Sequence, residues 1–209
     1  GISILIILKK KITKKTKALM IPHIYGFPCE MDKILNICKK YKLYLIEDAA
    51  EMIGQTYNNK PCGSFGDIST FSFYANKHIT TGEGGMIFTN NKDYYKKFNS
   101  FKNLSFGKKD RFNHSDISWN YRITNMQAAL GVSQVNRLNK IIKKKKEIGK
   151  FYYEKFKNNK NLIIQPIKFD YAENIFWIYG IVLKKGSKKN RQEIQKRLLR
   201  SNIDTRPFF

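Results

Sequence analysis

Residues 17–48 read KALMIPHIYGFPCEMDKILNICKKYKLYLIED, and their pattern decides the predicted fold. The apolar run in 17–22 predicts a short buried strand, and the spacing of apolar residues in 32–42 predicts an amphipathic helix. A second apolar strand, residues 43–46, leads directly to Asp48. Strand, helix and strand in this order form a βαβ unit, which predicts a parallel sheet. Because ligands bind beyond the carboxyl ends of such strands, Asp48 is expected at a binding site.

The pattern continues outward from this unit. Residues 70–73 and 86–89 predict two more short strands, and a helix is expected from residue 91 to about 102. Another helix begins near Thr124, whose hydroxyl and Gln127 match a capping box. The apolar face of this last helix is expected to consist of Met126, Ala129, Leu130, Val135, Leu138 and Ile142.

The C-terminal part of the chain differs in character from the rest. Residues 176–183 predict a strand and residues 191–200 a basic helix, as at the start of a small α+β domain. We therefore expect residues 1–158 to belong to a large α/β domain that ends in a long connecting helix. Residues 159–209 are expected to begin the second domain.

The formal net charge of +24 would favour a nucleic-acid partner if it stood alone. The basic residues are mostly scattered lysines, however, and only seven arginines occur among 40 basic side chains. Readers of nucleic acids usually rely on arginine forks, so we predict no nucleic-acid partner. The densest basic run, Lys143 to Lys146, falls in a helical pattern and is interpreted as a solvated helix face.

Cysteines and apolar runs say little about binding. Cys29, Cys38 and Cys62 lack the spacing of a disulfide framework or a metal site, which favours a reducing cytoplasm. The apolar run Ile2 to Leu8 is too short to span a bilayer, so no membrane partner is predicted.

Three residues near the predicted strand ends are candidates for chemistry. Lys77 follows the strand 70–73, Asp48 ends a neighbouring strand, and Ser72 offers a neutral hydroxyl donor close by. An amine, an acid and a hydroxyl are what pyridoxal phosphate (PLP) requires for its aldehyde, its pyridine nitrogen and its phosphate. Taken singly, each has a simpler interpretation, as a solvated lysine, a helix-capping aspartate and a packed serine.

Several short segments around these residues occur in a distinctive order. They are PHIYG (22–26), IEDAAE (46–51), GSFGD (63–67), FSFYANKHITTGEGG (71–85), NYR (120–122) and QAA (127–129). Together they resemble the DegT/DnrJ/EryC1/StrS family of PLP-dependent nucleotide-sugar aminotransferases, over nearly the whole chain. The resemblance implies a partial fold-type I large domain in residues 1–158, with a mostly parallel sheet and flanking helices. The small domain would then be incomplete.

The resemblance also implies a role for each candidate. Lys77 would hold PLP as a Schiff base and move a proton, Asp48 would pair with the pyridine nitrogen, and Ser72 would bind the phosphate. Asn120 would reach the cofactor of a neighbouring subunit, which implies a homodimer with shared active sites. Arg122 would bind a carboxylate of the amino donor, usually glutamate.

Two further positions indicate which reaction and which substrate of the family to expect. One branch of the family carries histidine in place of the lysine and dehydrates the sugar, but here Lys77 occupies that place and His78 is only its neighbour. Glu51 would lie beside the PLP ring, and glutamate there is most similar to the members that make perosamine. The implied substrate is a nucleotide-linked 4-keto-6-deoxy sugar for a cell-surface polysaccharide.

Alternatives remain open from the sequence. Relatives by this resemblance are about twice as long, an upstream phosphate-binding segment is expected to be missing, and the first ten residues match poorly. A truncated, non-catalytic member of the family is therefore one alternative. A PLP-dependent sugar dehydratase and a basic nucleic-acid binder are weaker ones.

Overall fold

The computed structural model describes residues 2–107, 109–184 and 190–208, with side chains from residue 7 onward. Helix α1 (Ile2–Lys11) precedes the predicted βαβ unit, which consists of β1 (Ala18–Pro22), α2 (Met31–Tyr41) and β2 (Tyr44–Asp48). The βαβ prediction is confirmed, with boundaries that differ by one or two residues. Helix α2 ends where Lys42 adopts a left-handed conformation and its N–H caps the carbonyls of the last turn.

The remaining elements follow in chain order. They are β3 (Thr56–Tyr57), β4 (Lys60–Pro61), β5 (Ile68–Ser72), β6 (Gly85–Phe88), α3 (Lys92–Phe101), α4 (Asn125–Val135), α5 (Leu138–Phe156), β7 (Leu162–Ile164), β8 (Lys168–Phe169), β9 (Ala172–Glu173), β10 (Ile181–Leu183) and α6 (Arg191–Arg200). The short pairs β3–β4 and β8–β9 were not predicted, because two-residue strands leave no periodic pattern in the sequence.

The main sheet has the strand order β1-β2-β5-β6. Strands β1, β2 and β5 are parallel, whereas β6 runs antiparallel to β5. This topology confirms the predicted α/β fold with a mostly parallel sheet. Asp48 lies at the carboxyl edge, paired with Pro22 on one side and Thr70 on the other. The geometry therefore places Asp48 where parallel sheets bind ligands.

The apolar core lies between this sheet and α2. Alternation along β2 buries Leu45 while Tyr44 stays exposed, as expected for a strand covered on one face. The core cluster comprises Leu19, Ile21, Met31, Ile34, Cys38, Leu43, Leu45, Ala49, Met52, Tyr57 and Cys62.

In the described part of the chain, no helix combines the length and the apolarity needed to cross a membrane.

The long apolar helix expected after Thr124 is two helices, α4 and α5. The chain leaves the helical conformation at Arg137, which has φ −109° and ψ 7°. The expected apolar face of α4 is largely exposed, and Met126 is 80% accessible. Periodicity predicted which residues share a face, but it could not predict what covers that face.

The strand predicted for residues 176–183 is wrong over its first half. Only β10 is extended, because the Asn174 side chain accepts the Phe176 N–H at 2.7 Å and Phe176 has a φ of +49°. Both features turn the chain instead of extending it. The apolar residues 175–177 are buried in this turn, so their hydrophobicity reflected burial and not a strand.

The basic run on α5 is only partly a solvated face. Lys143 and Lys144 are exposed, as predicted. For Lys145 and Lys146 the prediction is wrong, because Lys145 Nζ donates to the Trp177 carbonyl at 2.8 Å and Lys146 Nζ pairs with Glu173 at 2.6 Å.

The capping box at the start of α4 is confirmed. Thr124 Oγ1 accepts the Gln127 N–H at 3.2 Å, and the Gln127 side chain accepts the Thr124 N–H at 2.9 Å. We expect Thr124→Ala to lower the free energy of unfolding by about 1 kcal/mol, because a helix N–H loses its partner. Urea unfolding would measure this, with the exposed Thr205→Ala as control. An equal loss in both variants would contradict the capping role.

Candidate active site

The candidate site is built at the carboxyl edge of β2 and β5. Ser72 ends β5, two residues beyond the Thr70 that pairs with Asp48. The chain then turns, and the Lys77 N–H donates to the Tyr74 carbonyl at 3.0 Å. After this turn, the Lys77 amine lies close to Glu51 and near enough to Asp48 to interact with its charge.

The amine of Lys77 is packed between Glu51 and the Trp177 ring, and the space between these groups is termed the cleft. Its Nζ is 3.7 Å from Glu51 Oε1 and 3.9 Å from the centroid of the Trp177 ring. Only 11% of the lysine side chain is accessible to solvent. The simpler interpretation of Lys77 as a solvated surface lysine is therefore wrong.

Burial alters the protonation of this cleft. The pKa of Lys77 is lowered by burial, although the negative charges of Glu51 and Asp48 oppose the shift. The pKa of Glu51 is raised by burial and by the like charge of Asp48, against hydrogen bonds and the charge of Lys77. Both shifts favour the neutral forms, and a neutral lysine amine is the form that attacks an aldehyde.

Backbone contacts fix the two acids. Glu51 Oε2 accepts the Tyr25 N–H at 2.5 Å, and Asp48 Oδ1 accepts the Ala50 N–H at 3.1 Å. A carboxylate has acceptor sites on both oxygens, so the Asp48 carboxylate can accept a further proton donor. A protonated pyridine nitrogen is such a donor.

Ser72 completes a set of groups that fits PLP. Its Oγ accepts the Tyr74 N–H at 3.2 Å, which leaves the hydroxyl proton as a donor toward a phosphate oxygen. A partly neutral amine, an acid and a hydroxyl donor thus share one sheet edge. This donor set matches the aldehyde, the pyridine nitrogen and the phosphate.

His78 is buried beside the cleft. It is 5% exposed, and burial, together with Lys145 and Lys77, lowers its pKa to about 4, although a hydrogen bond to the Ile53 backbone carbonyl opposes the shift. The imidazole is therefore neutral near pH 7. His78 therefore lies in the loop after β5 as a buried residue, unlike a solvent-exposed general base.

Asn120 and Arg122 lie on an exposed segment. Asn120 forms an isolated bridge with Asn103, and Arg122 Nη1 donates to Asn103 Oδ1 at 2.6 Å. Both side chains are exposed within the single chain. Their predicted contacts involve a neighbouring subunit and a donor substrate, so their roles stay predictions.

The sequence did not single out the buried acid next to Asp48. Glu47 is fully buried, and its carboxylate accepts hydrogen bonds from His23 Nε2 at 3.1 Å and from three backbone N–H groups at 2.7 Å. Those N–H groups belong to Gly63, Phe65 and Gly66. A glutamate on the apolar face of a buried strand was the available signal, since such an acid requires partners.

Comparison with known proteins identifies the family. The model of the DegT/DnrJ/EryC1/StrS aminotransferase family matches residues 6–209. The chain belongs to this family. Its predicted membership is thus confirmed, and the match includes the segment 71–85 that carries Lys77.

Curated members of the family share substantial identity with the chain. A GDP-perosamine synthase of Escherichia coli O157:H7 is 41% identical over 203 residues, covering 97% of this chain and 54% of that protein. A GDP-perosamine synthase of Vibrio cholerae is 40% identical over 205 residues, covering 96% of this chain and 54% of that protein. The chain therefore spans about half the length of the curated relatives it matches.

Solved structures of the family share the fold. Helicobacter pylori PseC, an aminotransferase of pseudaminic acid biosynthesis, has a TM-score of 0.87 at 29% identity, covering 94% of this chain and 53% of PseC. An E. coli GDP-4-keto-6-deoxy-D-mannose-3-dehydratase with hydrated PLP also has a TM-score of 0.87, at 27% identity, covering 97% of this chain and 56% of the enzyme. These matches confirm the partial fold-type I domain.

Proposed function

We propose that the chain is part of a PLP-dependent aminotransferase that converts the keto group of a nucleotide-linked 4-keto-6-deoxy sugar to an amine. The observation that carries this proposal is the buried Lys77 amine, 3.7 Å from Glu51 in a cleft that Asp48 also faces. The similarity to GDP-perosamine synthases supports a GDP-linked sugar as substrate. The product would serve the synthesis of a cell-surface polysaccharide.

Each residue of the cleft has a distinct task in this proposal. Lys77 would hold PLP through its aldehyde, Asp48 would keep the pyridine nitrogen protonated, and Ser72 would donate to the phosphate. Glu51 would lie beside the ring. When bound, PLP supplies an electron sink that stabilises negative charge at the substrate carbon.

Lys77 has a second task as a proton carrier. Its lowered pKa gives Nζ a neutral fraction that can accept a proton at the substrate carbon and return it. The burial of the Lys77 side chain keeps most water from the amine, which would limit competing hydrolysis. Because lysine occupies this position, we favour amino transfer over dehydration.

The donor and the second subunit complete the proposal. Arg122 would bind a carboxylate of glutamate, as a planar guanidinium suits bidentate carboxylate recognition. A homodimer is supported by apolar side chains exposed near Asn120, including Ile117, Tyr121 and Met126. The free thiols of Cys29, Cys38 and Cys62 agree with a reducing cytoplasm.

Isotope transfer would test the proposed reaction. The purified chain, PLP, GDP-4-keto-6-deoxymannose and glutamate carrying a heavy nitrogen isotope are expected to give an amino sugar that contains the label. Mass spectrometry of the sugar nucleotide would detect it. An unlabelled keto sugar with one oxygen fewer than the substrate would support the dehydratase, and a chain that binds PLP without turnover would support the non-catalytic alternative.

A further inference from the structure

Trp177 contacts the loop of Lys77 although it lies far away in sequence. Its indole N–H donates to the Asn76 carbonyl at 3.0 Å across 101 residues, and its ring centroid is 3.9 Å from Lys77 Nζ. Trp177 is 4% exposed. One side chain therefore contacts both the backbone immediately before Lys77 and the amine at the end of Lys77.

Trp177 is itself held by contacts that do not involve Lys77. Lys145 Nζ donates to its carbonyl at 2.8 Å, and the Tyr25 ring stacks on it with centroids 6.2 Å apart. Gly26 has a φ of +83° and lies close to the backbone of Trp177. A Cβ at Gly26 would be 2.6 Å from the Trp177 backbone nitrogen, so glycine permits this close approach. The indole is thus a fixed surface against which the lysine is placed.

We propose that Trp177 is a positioning residue for Lys77. Its N–H fixes the backbone at Asn76, and its ring face holds the amine over the cleft beside Asp48 and Glu51. A ring face attracts an ammonium group and also excludes water from it. This inference rests on the proposed function, because that function makes Lys77 the reacting amine.

Fluorescence can test the contact without any cofactor. The sequence has two tryptophans, so Trp119→Phe leaves Trp177 as the sole emitter. The titratable groups around the amine and the indole are Glu51, Asp48, His78, Lys145 and Tyr25. We expect Trp177 emission to change in one pH step, with a midpoint below the ordinary lysine value of about 10.4.

Two substitutions in the Trp119→Phe background assign that step. Lys77→Met is expected to remove it, because the ammonium on the ring face is lost. Lys145→Met is expected to retain it, since Lys145 Nζ lies at the backbone carbonyl of Trp177, 2.8 Å away. Emission that does not change with pH, or a step that persists in Lys77→Met, would overturn the proposal.

Substitution of Trp177 itself tests positioning. The pKa of Lys77 can be measured without cofactor from the pH midpoint of its acetylation by acetic anhydride. Mass spectrometry measures the acetylation, and exposed Lys143 is the internal reference. Trp177→Leu is expected to raise this midpoint toward the ordinary lysine value, because water enters the cleft. Trp177→Phe keeps a ring but loses the bond to Asn76, and we expect PLP loading to weaken roughly two- to tenfold.

The outcomes separate this inference from the proposed function. Unchanged midpoint and loading in both Trp177 variants, relative to Trp119→Phe, would reduce Trp177 to a structural residue. If Trp177→Leu does not fold, the fluorescence titration decides, since it leaves Trp177 in place. A wild-type chain that takes up no PLP would contradict the proposed function alone, because the titration and the acetylation need no cofactor.

Discussion

Lys77→Ala is expected to abolish covalent attachment of PLP. In the wild-type chain, borohydride should fix the cofactor on Lys77, and peptide mapping should find the label there. The variant should retain no label, since in the described part of the chain Lys77 has the only amine that contacts both Glu51 and the Trp177 ring. Amino transfer should fall by roughly 10²–10⁴-fold from the loss of proton transfer alone.

Matched variants serve as controls for this labelling result. Lys77→Arg keeps a cation near Glu51 but cannot form the bond to an aldehyde, so it should be as unlabelled as Lys77→Ala. Lys143→Ala removes an exposed lysine and should leave labelling unchanged. A label that stays on the Lys77→Ala chain would exclude this lysine as the attachment point.

Mixing Lys77→Ala chains with Asn120→Ala chains tests the shared site. Each variant is expected to be inactive alone. A mixed dimer would have one intact site, with Lys77 from one subunit and Asn120 from the other, and would recover activity.

Glu47→Gln is expected to have the largest effect on stability. The carboxylate accepts one bond from His23 and three from backbone N–H groups, all in the interior. An amide has one oxygen and would turn its NH₂ toward some of these donors. Breaking such a buried network costs about 3–5 kcal/mol, which chemical unfolding would measure as a lowered midpoint.

Glu147→Gln is the matched control for this substitution. Glu147 lies on exposed α5 at 3.6 Å from Lys144, and its loss should change the free energy of unfolding by no more than about 0.5 kcal/mol. Similar losses in the two variants would show that the Glu47 network contributes little.

The same network predicts a pH dependence. Burial by itself would raise the pKa of Glu47, but the bonds from His23 and the backbone N–H groups outweigh it and hold the pKa below its usual value. A carboxyl with a lowered pKa stabilises the fold above its unfolded pKa, about 4.3, and this contribution is lost as pH falls through the folded pKa. Acid unfolding should therefore be less steep in Glu47→Gln. An identical pH profile in both chains would argue against the lowered pKa.

Local patterns in the sequence predicted the βαβ unit and the loop that follows β5. The apolar spacing of α2 and the runs of β1 and β2 fix a parallel pair, and a parallel pair fixes the edge where Asp48 must lie. Ser72 ends the neighbouring strand β5 and Lys77 follows it, so their position near the same sheet edge as Asp48 also follows from local signals. The capping box at Thr124 could also be predicted from the sequence, because its partners are three residues apart.

Only the tertiary structure decided which distant residues complete the site. Trp177 contacts Lys77 through a turn that brings a remote segment to the site, and no periodic pattern encodes such a contact. Glu47 showed the same limit, since its three backbone partners belong to a loop without regular structure. The sequence by itself thus determined the fold class, the sheet edge and the choice of Lys77 as the candidate lysine. The burial that lowers the pKa of Lys77, and the indole that holds its amine, were decided by packing, because both depend on long-range contacts.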